Sequence, residues 1–232
     1  MPEPLQLIKI ILQRHMFNDY FTLNTIVELI CLIFALMCVA KDKDLAWRLM
    51  AILMIVTFAS ETAGRYVFLH SASKNNHWVY NISILFEIAI IHIMFAHLFK
   101  RYINFKLALI ISITVLGLCY AFDMYNKGFF WYSNHTYTLM SVLFVLYSLI
   151  YYYLRFRDEE YIDLRTSPGF WWTTGVLFFF FGATACNLFD EELYAVMFYD
   201  HHLTYYIFRL LNFILYGFWT YSFICRKWFA AT

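Results

Sequence analysis

Charge is what this chain lacks most: only 14% of its 232 residues are Asp, Glu, Lys or Arg, where a soluble domain carries roughly 25%. That scarcity excludes a water-soluble monomer, and 62% apolar residues exclude disorder, collagen and a coiled coil as well. Neither sign of charge dominates, with 17 Lys and Arg against 16 Asp and Glu, so no nucleic acid or acidic substrate is indicated. The five cysteines, Cys31, Cys38, Cys119, Cys186 and Cys225, form no C-x-x-C pair and lie within or at the ends of apolar runs. They read as small buried hydrophobes, not as a disulfide framework or a zinc site. The first twenty residues have no basic stretch leading to a small-residue cleavage site and are read as mature sequence.

What the chain has is long apolar runs. A bilayer core takes about 20 residues of helix, within about 17 to 25. Seven runs qualify: Leu23 to Ala40, Trp47 to Leu69, Trp78 to Phe99, Leu107 to Met124, Tyr137 to Leu154, Phe170 to Leu188 and Leu203 to Ile224. The expected fold is an all-α integral membrane protein, one seven-transmembrane-helix domain over residues 1–232. Within residues 1–20, Gln6, Lys9 and Gln13 alternate with Leu5, Ile8, Ile11 and Leu12, which predicts a helix lying in the headgroup plane. Pro168, beside Gly169 in the fifth loop, is expected to end one element before the sixth span. No span contains proline and glycine is scarce in them, which counts against a transporter built on unwound half-helices.

Lys and Arg set the expected orientation, because cytoplasmic loops retain positive charge. The first, third and fifth loops carry Lys41, Lys43 and Arg48; Lys100, Arg101 and Lys106; and Arg155, Arg157 and Arg165; the tail adds Arg226 and Lys227. The second and fourth loops carry only Lys74 and Lys127, and the sixth carries no basic residue. The N-terminus, despite Lys9 and Arg14, is therefore expected outside and the C-terminus in the cytoplasm, in an inner or plasma membrane.

An ionisable residue at the centre of a span costs about 2.5 to 3.5 kcal/mol, so each needs a reason. They are Glu28 in the first span, Glu61 and Arg65 in the second, Glu87, His92 and His97 in the third, and Arg209 in the seventh. Counted from the outer ends, the Glu and Arg residues all fall in the outer half, within about 10 Å of depth. Thr57, Glu61 and Arg65 repeat at i+4, and Tyr205, Arg209, Asn212 and Tyr216 step along one face of the seventh span. Asn187, at the outer end of the sixth span, is placed to join them. His92 and His97 are about 140° apart by phase, so a single straight helix does not bring them to one metal. Three readings of the buried charges stay open: ion pairs that hold helices together, a ligand chamber open to the outside, and catalysis. The run Phe178 to Phe181 reads as lipid-facing and core packing.

The sixth loop crowds Asp190, Glu191, Glu192, Asp200, His201 and His202 over the outer mouth. Asp190, His201 and His202 are the metal candidates there, but an adjacent His pair lacks ligand spacing, and a solvated acidic loop is the favoured reading.

Seven spans with the N-terminus outside resembles the layout of receptor-like and rhodopsin-like proteins. No lysine lies within any of the expected spans, which excludes a retinal Schiff base, and the third span ends in HLFKRY, not in a D-R-Y-type motif. Ser60 in the second span and His201 or His202 beside the seventh make the chain distantly similar to the alkaline ceramidases, although the third span offers Glu87 where that family has an aspartate. That resemblance implies a metal-dependent membrane hydrolase, although the H-x-x-x-H spacing of its last span is absent. The leading expectation is non-enzymatic: a small-ligand sensor or receptor, or the membrane subunit of a larger complex. Its outward polar chamber would be lined by Glu28, Glu61, Arg65, Glu87, Asn187, Arg209 and Asn212. No cofactor is expected, and a protein partner would touch the basic cytoplasmic loops or the intramembrane surface. A small-solute or proton-coupled transporter and a haem or quinone protein using His92 and His97 are the remaining alternatives.

Overall fold

The computed structural model describes residues 22–158, 163–199 and 201–229; the interfacial helix expected within residues 1–20, and Asp200, lie outside them. Seven helices carry most of the described chain: α1 Leu23–Cys38, α2 Leu45–His70, α3 His77–Phe99, α4 Lys106–Lys127, α5 Asn134–Arg157, α6 Pro168–Leu188 and α8 Leu203–Trp228. Between the last two come a short helix, α7 Asp190–Ala195, and a hairpin of β1 Met197–Phe198 against β2 His201–His202. Helices α2 to α6 and α8 are each long and apolar enough to cross a bilayer; α1 is apolar but has 16 residues, roughly 24 Å. The chain is an all-α, multi-pass membrane protein whose apolar helices require a lipid bilayer around them.

Boundaries depart from the apolar runs in a consistent direction. Helix α2 runs from Leu45 to His70, α5 from Asn134 to Arg157 and α8 on to Trp228, beyond the runs expected for them. Polar and aromatic residues at the bilayer interface continue the backbone ladder, so hydropathy alone undercounts each helix. Lys106, Lys127 and Lys227 thereby fall in terminal helical turns, all of them exposed. Helix α1 is the exception and stops at Cys38 instead of Ala40. Pro168 is the first residue of α6 and does not terminate an earlier element. A proline there gives up only an N–H that the first turn leaves unpaired, and its fixed φ suits the helix.

The seven long helices close into a ring. Each of α1 to α6 packs against the next, α6 packs against α8, and α8 returns to α1. Helices α3 and α5 also touch directly, so α4 sits outside them and turns Leu107, Ile110, Ile111 and Leu118 outward. The interior is aromatic: Phe95, Phe144, Trp172 and Phe180 are fully buried, with Phe95 edge-on to Trp172 and Phe144 edge-on to Phe180. In the Phe178 to Phe181 run, Phe179 and Phe180 face this core, while Phe178 and Phe181 are 52% and 64% exposed.

The α6–α8 seam is set by Gly175. A Cβ there would stand 3.2 Å from the Leu215 carbonyl oxygen and 3.1 Å from the Trp219 ring, closer than side chains ordinarily pack. Small residues let helices approach where lipid supplies no hydrophobic drive.

Polar ties hold both ends of the ring. At the basic end, Arg226 of α8 grips Asp42 with Nε and a terminal nitrogen at 2.8 Å each, also binds Asp44, and lies 5.5 Å from the Trp47 ring centre. Nearby, Arg101 pairs with Asp158 at 3.2 Å and Arg155 donates to the Tyr102 hydroxyl at 3.1 Å. At the opposite end, Asn81 donates to the carbonyls of Phe129 and Trp131 at 2.9 and 2.8 Å and accepts from the Ser133 amide at 3.2 Å. Asp123 of α4 accepts from the Thr136 amide and hydroxyl at 3.0 and 2.8 Å and from His135 at 2.7 Å, so it caps the first turn of α5 from outside that helix.

Two outcomes follow. Gly175→Leu should separate α6 from α8 and cost several kcal/mol, as overpacking against backbone does, read as loss of monodisperse protein or a large fall in thermal midpoint. Burial pushes the Asp42 carboxyl up, but hydrogen bonds from Arg226 and the Asp44 amide outweigh it and hold it below its ordinary value. A lowered carboxyl adds stability above the ordinary carboxylate range and loses it as pH falls through the lowered value. Thermal melts of Arg226→Gln should be lower at neutral pH and less sensitive to acid than those of the parent protein.

Candidate functional site

A cavity of about 190 Å³ lies inside the ring, between α1, α2, α3 and α8 and against Tyr132, Tyr137 and Phe179. Helix α1 contributes Glu28, α2 contributes Thr57, Ser60 and Glu61, α3 contributes Tyr80, Ser83 and Glu87, and α8 contributes Asn212, Tyr216 and Trp219. The α2, α3 and α8 sets are spaced three and four residues apart, so one polar face of each of these helices is turned inward.

Glu28 is 4% exposed, and its Oε2 makes no hydrogen bond with any protein group. Glu61 accepts a hydrogen bond from the Tyr80 hydroxyl at 3.2 Å, and Arg65, one turn along α2, acts on it electrostatically. Glu87 and Asn212 are half-buried in the cavity wall. Beneath them, Trp219 of the lining donates its indole N–H to the Trp172 carbonyl at 3.3 Å, which fixes the deep wall.

Of the residues expected to line a chamber, Glu28, Glu61, Glu87 and Asn212 come together. Arg65, Asn187 and Arg209 stand outside the lining. Arg209 turns to the ring of Tyr205, 5.6 Å from its centre, and Asn187 donates to the Thr138 hydroxyl at 3.2 Å, tying α6 to α5. The lining therefore contains three carboxylates and no Lys, Arg or His.

The histidines lie elsewhere. His92 is buried, with Nδ1 2.6 Å from the Ile88 carbonyl and Nε2 2.7 Å from the Ser112 hydroxyl. A carbonyl only accepts, so Nδ1 carries the proton and binds within α3, while Nε2 accepts from Ser112 and joins α3 to α4. His97 sits at the basic end among Lys100, Arg101 and Arg226, apart from His92. His202 stacks on Tyr194 at 3.6 Å with Nδ1 2.6 Å from that residue's carbonyl, while His201 and Asp190 are exposed. Among the described residues, no three His, Cys, Asp or Glu side chains converge as a metal would require. Ser60 lines the cavity, whereas His202 is held by Tyr194.

Sequence reasoning placed Tyr216 on the inward face of its span but missed Tyr80, Tyr132 and Tyr137. Tyr80, Ser83 and Glu87 step by three and four along α3, a stripe that periodicity could have found. Tyr132 lies in the α4–α5 loop, where no periodicity operates. Asp123, one residue from the end of its expected span, also escaped the inventory of buried charges. Chemically the cavity is a pocket of hydrogen-bond acceptors and phenols with aromatic walls, suited to a small species that carries donors or positive charge. No protein-family model, curated protein or solved structure matches the chain.

A buried carboxylate with one unpaired oxygen is expensive. Replacing Glu28 by the isosteric Gln should keep the fold and raise its stability by on the order of 1 kcal/mol, seen as a thermal midpoint a few degrees higher. A fall of that size would instead mark Glu28 as a structural tie.

Proposed function

We propose that this chain is a seven-helix receptor for a small ligand, with its N-terminus outside and its C-terminus in the cytoplasm of an inner or plasma membrane. The observation that carries the reading is the meeting of Glu28, Glu61 and Glu87, from three different helices, in one cavity that also holds Asn212 and Tyr216. Groups of this kind are costly inside a membrane protein and mark ligand or ion sites by default. Helix α1 supports the seventh crossing: it closes the ring between α2 and α8 and turns Ile26, Ile30, Ile33 and Met37 outward. A short span is accommodated by local thinning of the bilayer at modest cost.

The orientation rests on charge. Lys41, Lys43, Lys100, Arg101, Arg157, Arg165 and Lys227 gather at one end, exposed around open grooves of about 650 and 850 Å³. That end faces the cytoplasm and would meet an acidic partner protein that receives the signal, and the cavity faces the opposite way.

Cysteine accessibility tests this. With Asn212→Cys in intact cells, a membrane-impermeant thiol reagent should modify the new cysteine from outside, while the native cysteines, four of them buried, give the baseline. Modification only in inverted vesicles would overturn the orientation, and no modification from either side would overturn an accessible ligand chamber.

A further inference from the structure

We infer that the cavity takes a compact organic cation of the alkylammonium class, held by Glu28, Glu61 and Glu87 within an aromatic wall. The inference rests on the cavity being a ligand site and adds the chemistry of the occupant.

Four observations converge on it. The lining holds three carboxylates and no cationic side chain, because Arg65 and Arg209 stand outside it. An anion would thus meet neutral donors from Asn212, Ser, Thr and Tyr side chains but no positive charge to balance its own. Second, Glu28 belongs to the lining, is 4% exposed, and has one carboxyl oxygen, Oε2, with no hydrogen-bond partner within the protein. Glu61 receives the Tyr80 hydroxyl at 3.2 Å and Glu28 interacts with the Tyr216 hydroxyl, so each keeps acceptor capacity beyond its one phenol partner.

Third, the wall is aromatic. Tyr80, Tyr132, Tyr137, Phe179, Tyr216 and Trp219 surround the void. Ring faces attract alkylammonium groups, and a cage of them accepts a cation too bulky and too weakly hydrated for a carboxylate cluster alone. Fourth, the size fits an organic ion and not a bare metal. About 190 Å³ is the room of roughly six water-sized units, and among the described residues no three acidic, His or Cys groups converge on one point. The carboxylates are spread around the void, as a polyatomic cation requires.

The test uses the full chain, purified in lipid nanodiscs, with calorimetric titration and thermal shift as readouts. The probes are tetramethylammonium, choline and 3,3-dimethylbutan-1-ol, the last having the shape of choline without its charge. The two cations should bind saturably and raise the melting midpoint, with the alcohol at least about tenfold weaker. Glu28→Gln should weaken choline binding at least about tenfold, while Glu28→Asp retains most of it. If Glu28→Gln does not give monodisperse protein, Tyr137→Leu serves instead and should weaken both cations. Equal binding of the alcohol, or choline affinity unchanged in these variants, overturns the cationic ligand while leaving a ligand site. Failure of both cations to bind overturns it as well, and the Asn212→Cys accessibility result then decides separately whether the chamber receives any solute.

Discussion

Lipid has no hydrogen bonds to offer, so every polar group that this ring buries has to be answered by another group of the same chain. Most are answered in full. Asn81 spends its amide on two loop carbonyls and the Ser133 amide, and Asp123 spends both oxygens on the start of α5. His92 satisfies one nitrogen within α3 and uses the other to reach Ser112 of α4. These residues do what polar groups do in stable membrane proteins: they join helices whose apolar faces would pack equally well against lipid. Glu28 departs from that rule, because one of its oxygens is buried and unanswered.

The two ends of the ring apply the same constraint differently. At the basic end, charges meet charges: Arg226 with Asp42 and Asp44, Arg101 with Asp158. Bidentate pairs of this sort are specific in geometry, and they fix how α8 meets the α1–α2 turn. At the cavity end, Asn81 and Asp123 organise the loops through amide and hydroxyl groups and His135, leaving Glu28, Glu61 and Glu87 as the acidic groups of the cavity wall. Segregating cations to one end and acceptors to the interior near the other makes the cavity electrostatically one-sided.

How far this was legible in the sequence follows from which forces act locally. Apolar run length located all seven long helices, because hydrophobic burial is additive along a segment, but it placed their ends short wherever interfacial aromatic residues prolonged the helix. Pro168 shows the limit of local rules: the same residue that stops a helix from within opens one from its first position, and the sequence admits both. Helical phase brought Glu28, Glu61, Glu87 and Asn212 to inward faces. It did not separate them from Arg65 and Arg209, which share those helices, because a long side chain one turn nearer the interface can turn aside to another partner. Tyr132 reaches the cavity from a loop, and Arg226 meets Asp42 across 184 positions of chain, so neither contact had a local signature.

Helices α1 and α8 carry both of the features that matter. Glu28 lies on α1, and the turn following α1 presents Asp42 and Asp44; Tyr216 lies on α8, and Arg226 follows ten residues later, roughly 15 Å along the same helix. The α1–α8 pair is therefore bounded by the cavity on one side and by the Arg226 clamp on the other. A helix transmits displacement along its axis with little bending, so on the receptor proposal a ligand that shifted Glu28 against Tyr216 would act on the same two rods whose far ends the clamp holds in register. Coupling of this kind needs no attached signalling domain within the ring, only that the clamp favour one relative position of α1 and α8 and the ligand another. The grooves beside that clamp, lined by Lys41, Lys43 and Lys227, are where such a displacement would change the surface offered to a partner.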